Sequence, residues 1–246
     1  MKALPLMASL MLCTLVGGAT GCERAPGRPG DGTEVARPGE VLDFATLYSQ
    51  NCAACHGEKG TNGAAISLAN PVYLATAGAA DIQRITAAGV NGTMMPGFAR
   101  SAGGMLTDKQ IAAIAQGMID AWAKPEMLAG QTPPAYAGSS SGNASQGQQT
   151  FQAFCARCHG ADATGAQSAN PRTGSLVDPA YLSLISDQGL RSFIIAGQPE
   201  QGMPDWRAHQ SANGGHTLTD REITDIVAWI GTHRTATPGQ VYRQHP

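Results

Sequence analysis

The sequence predicts an all-α protein made of two tandem helical domains, and three observations support this fold class. The stretch CAACHG at 52–57 returns as CARCHG at 155–160. An apolar pattern with helical spacing closes each half of the chain. No stretch alternates apolar and polar residues in the manner of a β-strand. We expect the two domains at 41–129 and 147–246.

Composition narrows the classes of function. The 246 residues include 16 Lys and Arg against 18 Asp and Glu, for a formal net charge of −2. The basic residues are scattered, so we expect no nucleic-acid partner. Aromatic residues make up only 5% of the chain, and Gly and Pro are frequent. Small domains of this composition would bury little apolar surface by themselves, and a large apolar cofactor would enlarge the hydrophobic core.

The first 22 residues have the features of an export leader. Lys2 gives the N-terminus a positive charge. The apolar run from Ala3 to Val16 is shorter than a helix that crosses a membrane. Small residues follow and end at Cys22. The segment resembles a bacterial lipoprotein signal, although that family usually has Leu at the position of Ala19. The resemblance implies cleavage before a lipid-modified Cys22, with ordinary secretion or an uncleaved anchor as the alternatives.

Two polar segments divide the rest of the chain. Residues 23–40 are rich in Gly, Pro and charged side chains, which predicts a flexible tether. Residues 130–146 are dominated by Pro, Ser and Gly, which predicts an interdomain linker.

The two halves repeat one another in order. The Cys motifs match at an offset of 103 residues. LANPVYL matches LVDPAYL and TMMPGF matches QGMPDW, both at an offset of 108. MLTDKQIAAI matches TLTDREITDI at an offset of 112. Because the order is kept and the offset grows only by small insertions, we infer a duplicated domain.

Each half is predicted to contain three helices. The final helices begin with capping-box patterns at Thr107 and Thr219, each followed three residues later by Gln or Glu. Pro71 and Pro179 are expected to shape loops. The shorter helices precede the Cys motifs and lie midway through each half, over 43–51, 79–88, 148–154 and 187–196.

The Cys-x-x-Cys-His spacing predicts covalent attachment of haem c. Two thiols three residues apart reach two vinyl groups on one porphyrin edge, and the following His reaches the iron. The predicted attachment and ligand residues are Cys52, Cys55 and His56 in the first half and Cys155, Cys158 and His159 in the second. A redox dithiol, a zinc site and structural disulfides are the alternatives. Export, the His after each pair and the duplication all favour two haems.

Met95 and Met203 are predicted to be the second axial ligands of the two irons. Each precedes Pro, with an aromatic residue two places after that Pro. A thioether favours ferrous iron, and Met/His ligation raises the potential. Occurrence at matching positions of the repeat favours ligation over simple core packing. Met94 competes in the first half, and His209 or His216 could replace Met203 in the second.

With these motifs, each half resembles a class I cytochrome c domain, and the chain resembles a dihaem c-type cytochrome. The resemblance implies a few helices wrapped around each haem, with the first and last helices crossing. A glycine commonly meets an aromatic residue at that crossing. Gly147 and Trp229 hold these positions in the second half, and Phe44 and Gly117 hold them in reverse order in the first. We expect a large residue against a small one at both crossings.

The predicted function is electron transfer, and no catalytic residue is assigned, because iron with both His and Met ligands has no vacancy for substrate. The resemblance implies a carrier in a respiratory or photosynthetic chain, lipid-anchored at the periplasmic face of the bacterial cytoplasmic membrane. Its donor would be a quinol-oxidising complex or a dehydrogenase, and its acceptor an oxidase or a reaction centre. A dihaem enzyme, such as a peroxidase or a thiosulfate-oxidising cytochrome, is the alternative.

That alternative needs a feature that the sequence lacks. Peroxidase chemistry requires an open or displaceable iron ligand. Thiosulfate dehydrogenases of this family type use a Cys ligand, whereas Cys13 and Cys22, which lie outside the two motifs, belong to the leader or its cleavage site.

Overall fold

A computed structural model describes residues 36–138, 140–165, 173–208 and 215–236. Within these ranges the structure is helical and contains no β-strand, which confirms the predicted fold class. Cys22, the leader and most of the tether lie outside the described residues, as do His209 and His245. No helix in these ranges combines the length and hydropathy that a membrane crossing requires.

The described part of the first half contains four α-helices. They are α1 (Phe44–Asn51), α2 (Ala53–His56), α3 (Pro71–Ala88) and α4 (Asp108–Trp122). Helix α3 bends sharply at Gly78, whose φ of 63° and ψ of 171° are not helical. Glycine adopts this backbone conformation without the steric penalty that a side chain would bring.

The described part of the second half contains five α-helices. They are α5 (Ala144–Phe154), α6 (Ala156–His159), α7 (Pro179–Leu184), α8 (Asp187–Ala196) and α9 (Asp220–Gly231). Together α7 and α8 take the place that the bent α3 holds in the first half, as the repeat in the sequence predicts.

Helix starts follow the capping residues. Both predicted capping boxes form, at Thr107 and Thr219. The prediction that Pro71 and Pro179 shape loops is wrong, because each is the first residue of a helix. Proline suits this position, since its fixed φ is helical and its missing N–H would have no partner there.

Helix α5 begins earlier than predicted. The Asn143 side chain accepts a hydrogen bond from the Gln146 backbone N–H and starts the helix inside the segment predicted as a linker. The Asn143 backbone N–H also donates to the Asp225 carboxylate at 2.6 Å. Small polar residues are typical both of linkers and of helix caps, so composition alone did not separate the two.

The crossing of α1 and α4 has the expected large-against-small contact. A Cβ added to Gly117 would lie 2.3 Å from Cγ of Phe44. Tyr48 and Trp122 complete an aromatic cluster, with the Trp122 ring centroid 5.3 Å from that of Phe44 and 5.0 Å from that of Tyr48. The absent side chain at Gly117 therefore makes room for the Phe44 ring.

The crossing of α5 and α9 is built differently. A Cβ at Gly147 would lie 1.9 Å from the Asp225 carbonyl oxygen, so the two backbones themselves approach here. The Trp229 ring packs against the Phe151 ring at an angle of 46°, with ring centroids 4.6 Å apart. The aromatic partner of Trp229 was missed, although Phe151 lies one helical turn after Gly147.

The segment at 133–138, here called the strap, packs against both halves. The buried Arg191 guanidinium donates to the Tyr136 carbonyl at 3.0 Å, and the Gln188 amide donates to the same oxygen at 2.8 Å. The Tyr136 phenol lies beside that of Tyr73 of α3, and burial raises the pKa of both phenols. The described residues from Gly39 onward form one compact unit.

We predict opposite effects of alanine at two helical glycines. Gly117→Ala should lower the free energy of unfolding by about 2 kcal/mol, because the new methyl group overlaps the Phe44 ring. Gly231→Ala is the control, since the nearest atom to its Cβ is 4.0 Å away, and should stabilise α9 by about 0.5 kcal/mol. Urea unfolding of both variants measures the two changes, and equal effects would contradict the packing of α1 on α4.

Candidate haem-binding site

The first Cys motif forms the single helical turn α2, which follows α1 directly. Cys52 ends α1 and precedes α2, and the His56 N–H donates to the Cys52 carbonyl at 3.0 Å. Cys52 is buried and Cys55 is exposed, and both are free thiols. The turn therefore brings Cys52, Cys55 and His56 together, as the spacing predicts.

His56 is held in one orientation by a backbone carbonyl. Its Nδ1 lies 2.8 Å from the Ile66 oxygen. Because a carbonyl only accepts, Nδ1 carries the proton. Burial lowers the pKa of His56, although the bond to Ile66 opposes that shift. The neutral ring then has its lone pair on Nε2, which is the form that binds a metal.

The loop after His56 is anchored so that the Ile66 carbonyl stays in place. The Tyr48 hydroxyl donates to the Gly57 carbonyl at 2.9 Å. The Ser67 hydroxyl and the Ala69 N–H both donate to the Gly60 carbonyl at 3.0 Å. Ile66 was missed by sequence reasoning, because a backbone acceptor leaves no side-chain signature.

The second motif repeats this arrangement as the single helical turn α6, which follows α5 directly. The His159 N–H donates to the Cys155 carbonyl at 3.0 Å, and Cys155 and Cys158 are free thiols. Burial lowers the pKa of His159, and its buried Nδ1 has no hydrogen-bond partner among the described residues. The turn brings Cys155, Cys158 and His159 together.

Burial affects the chemistry of one thiol in each motif. It raises the pKa of Cys52 to about 11 and that of Cys155 to about 12. A raised pKa disfavours the thiolate that zinc binding and dithiol exchange require. Within the described ranges, no group of three or more His, Cys, Asp or Glu side chains is arranged to hold a metal ion by itself.

Met95 and Met203 lie on equivalent loops at the ends of α3 and α8. The Met95 carbonyl accepts from the Val90 N–H at 3.0 Å. The Met203 carbonyl accepts from the Gln198 N–H at 2.8 Å. Both side chains are half-buried, whereas Met94 is 81% exposed. The helix ends therefore fix the backbone on which each thioether is carried.

The donor set of each half suits haem c. Each half offers one imidazole whose pKa is lowered by burial, two free thiols on one turn and a thioether on an anchored loop. Imidazole and thioether are the axial ligands of low-spin cytochromes c, and paired thiols form the covalent links.

We predict that alanine at Gly89 disturbs the Met95 loop. Gly89 has a φ of 71°, and its Cβ would lie 2.5 Å from the Gly97 backbone nitrogen. Gly92 has a φ of 74° but nothing within 4 Å, so Gly92→Ala costs only the backbone strain of about 1 kcal/mol. Gly89→Ala should cost about 1–3 kcal/mol more, because the loop must also move. Thermal unfolding tests this, and equal losses in the two variants would show that the loop is not packed on α3.

Comparison with known proteins identifies the family. The family model described as cytochrome C oxidase, cbb3-type, subunit III matches residues 39–116 and 142–230. A curated relative, the cbb3-type cytochrome c oxidase subunit CcoP of Azospirillum sp. (strain B510), is 28% identical over 152 residues. The match covers 55% of this chain and 46% of that relative, so the chain spans less than half of the relative's length.

Two solved structures show weaker likeness. A reducing HAO-like protein complex of Kuenenia stuttgartiensis matches with a TM-score of 0.48 and 17% identity, over 80% of this chain and 99% of that one. The sulfane dehydrogenase SoxCD of Paracoccus pantotrophus matches with a TM-score of 0.26 and 20% identity, over 45% of this chain and 55% of that one. With TM-scores this low, neither structure bears on the function.

The family assignment agrees with the geometry of the two motifs. The matched segments cover more than half of the chain, and each contains one Cys-x-x-Cys-His turn and one Met-Pro pair. The chain therefore belongs to the family of cytochrome c oxidase, cbb3-type, subunit III, and is a c-type cytochrome, a class of electron-transfer protein that binds haem c covalently.

Proposed function

We propose that this protein carries two haems c, one in each half, and passes single electrons between redox proteins. The observation that supports this most strongly is the double match to the family, since each matched segment holds a complete set of attachment and ligand residues. Cys52 and Cys55 would form the thioether links in the first half. Cys155 and Cys158 would form them in the second.

Each iron would be held by one imidazole and one thioether. His56 and Met95 would ligate in the first half, and His159 and Met203 in the second. When bound, haem c supplies a one-electron iron couple. The bond from His56 Nδ1 to Ile66 keeps the ring in one tautomer and orientation, so its Nε2 serves as the ligand atom. With both axial positions filled, neither site accepts a substrate.

The partners follow from the kind of complex in which the relative is named. The Azospirillum relative is named as a subunit of a cbb3-type cytochrome c oxidase. We infer that this chain also works beside a membrane redox complex, with a quinol-oxidising complex or dehydrogenase as donor and an oxidase or reaction centre as acceptor. Its small net charge of −2 implies a modest salt dependence of docking.

The proposed location is the periplasmic face of the bacterial cytoplasmic membrane, with Cys22 as the lipid-modified residue. We predict that Cys22→Ser moves the protein from the membrane fraction to the soluble periplasmic fraction. Immunoblotting of fractionated cells measures this, with Cys13→Ser as the matched control, which should stay on the membrane. A Cys22→Ser protein that remains membrane-bound contradicts the lipid anchor.

The ligand assignment predicts separate effects of two methionine substitutions. Met95→Ala and Met203→Ala should each remove half of the weak sulfur-to-iron absorption band. Each should lower the midpoint potential of one haem by on the order of 100 mV, because loss of a thioether disfavours ferrous iron. Met105→Ala is the control, since its side chain is 86% exposed. Spectroelectrochemistry measures both properties.

Two results would contradict the electron-carrier proposal. One is an unchanged spectrum and potential in both ligand variants. The other is a high-spin component, or rapid carbon monoxide binding, in the native reduced protein, since either reveals an open iron position and favours a dihaem enzyme.

A further inference from the structure

The two halves meet where the start of α3 lies against the end of α8, and the Asn70 side chain forms hydrogen bonds across this contact. Asn70 is 5% exposed, and its amide Nδ2 donates to the Ala196 carbonyl at 3.0 Å and to the Gly197 carbonyl at 3.4 Å. Its Oδ1 accepts from the N–H groups of Val72 at 2.9 Å and Tyr73 at 3.2 Å. The amide therefore caps one helix of each half.

This arrangement satisfies groups that both helices would otherwise leave unpaired. The first N–H groups and the last carbonyls of a helix have no partner within it. One buried asparagine serves the start of α3 with its oxygen and the end of α8 with its nitrogen. Loss of the nitrogen would leave buried carbonyls without a donor, which is unfavourable.

On the side of the first half, Asn70 belongs to the segment that orients His56. Ile66, whose carbonyl lies 2.8 Å from His56 Nδ1, is in the same short segment. Between them, Ser67 and Ala69 are both tied to the Gly60 carbonyl. The segment that carries the His56 partner is therefore held at several points, and Asn70 fixes its end nearest α3.

On the side of the second half, the accepting carbonyls adjoin the Met203 loop. Gln198 follows Gly197 and exchanges two backbone hydrogen bonds with Met203, at 2.8 and 3.0 Å. A Cβ at Gly197 would lie 2.5 Å from the Pro204 carbonyl carbon, so Gly197 itself packs against this loop. The Asn70 contact thus ends at the backbone that carries Met203.

We propose that Asn70 is a positioning residue for electron exchange between the two haems, because it fastens the segment that orients His56 to the loop that carries Met203. The inference rests on the proposed function. The step it serves is the transfer of one electron from the ferrous haem of one half to the ferric haem of the other. No bond forms or breaks, and no proton moves.

The repeat supplies a matched control at the equivalent position. Asp178 precedes α7 as Asn70 precedes α3, and its carboxylate accepts from the Tyr181 N–H at 2.9 Å. Asp178 is exposed, so its cap serves its own helix. A serine at position 70 would still cap α3, but its side chain is too short to reach the carbonyls at the end of α8. Asn70→Ser therefore removes the bridge and keeps a cap, and Asp178→Ser changes only a cap.

The test compares the holoproteins of wild type, Asn70→Ser and Asp178→Ser. In Asn70→Ser, the rate of backbone amide exchange at 197–203 should rise about tenfold. The net free energy of one hydrogen bond changes a local opening equilibrium by roughly this factor. Intramolecular electron exchange after photoreduction should slow several-fold, and the midpoint potential of the second haem should fall. Asp178→Ser should match wild type in all three measurements.

The outcomes separate this inference from the proposed function. Wild type with two haems and measurable internal exchange, together with an Asn70→Ser protein of unchanged exchange rate and potential, overturns the role of Asn70 alone. Wild type that carries two haems but shows no internal exchange overturns the inference and leaves the proposed function standing, whereas wild type without two haems overturns both. If the Asn70→Ser protein does not accumulate, hydrogen exchange of the wild-type protein tests the bridge instead. The backbone amides at 197–198 should then be as protected as those of α8. Rapid exchange of these amides would overturn the bridge.

Discussion

The hydrogen bond between His56 Nδ1 and the Ile66 carbonyl is the constraint on which the first half depends. It places the proton on Nδ1 and so leaves the lone pair on Nε2, the atom proposed to bind iron. The bond forms because a loop returns to the motif and is held there by the Gly60 carbonyl. A buried imidazole beside two free thiols is a donor set that suits a covalently attached porphyrin.

The two halves are related by duplication but are not independent. The strap packs on both of them through Tyr136, and Asn70 joins the ends of two helices that belong to different halves. The Asn70 contact ends at the backbone next to the Met203 loop, so one interaction helps to set both the relative placement of the halves and the position of that loop. A protein that passes electrons internally benefits from such a fixed arrangement, because it then needs no domain rearrangement.

Much of this organisation could be predicted from the sequence, because its signals are local. The capping boxes at Thr107 and Thr219 and the helix at 187–196 follow from the order of side chains along the chain. The starts of α3 and α5 were missed because proline and small polar residues are typical of both loops and first helical turns. Ile66 could not be found, because its role belongs to a backbone carbonyl. The bridge at Asn70 depends on how the halves meet, which no periodic pattern in either half records.

The most direct test of the central claim is the intact mass of the denatured protein, followed by peptide mapping of the haem-bearing fragments. The account predicts a mass increase equal to two haems c that acid and organic solvent do not remove, with one on the peptide containing Cys52 and Cys55 and one on the peptide containing Cys155 and Cys158. A protein that retains one haem or none under these conditions, or that carries haem on other residues, would contradict it.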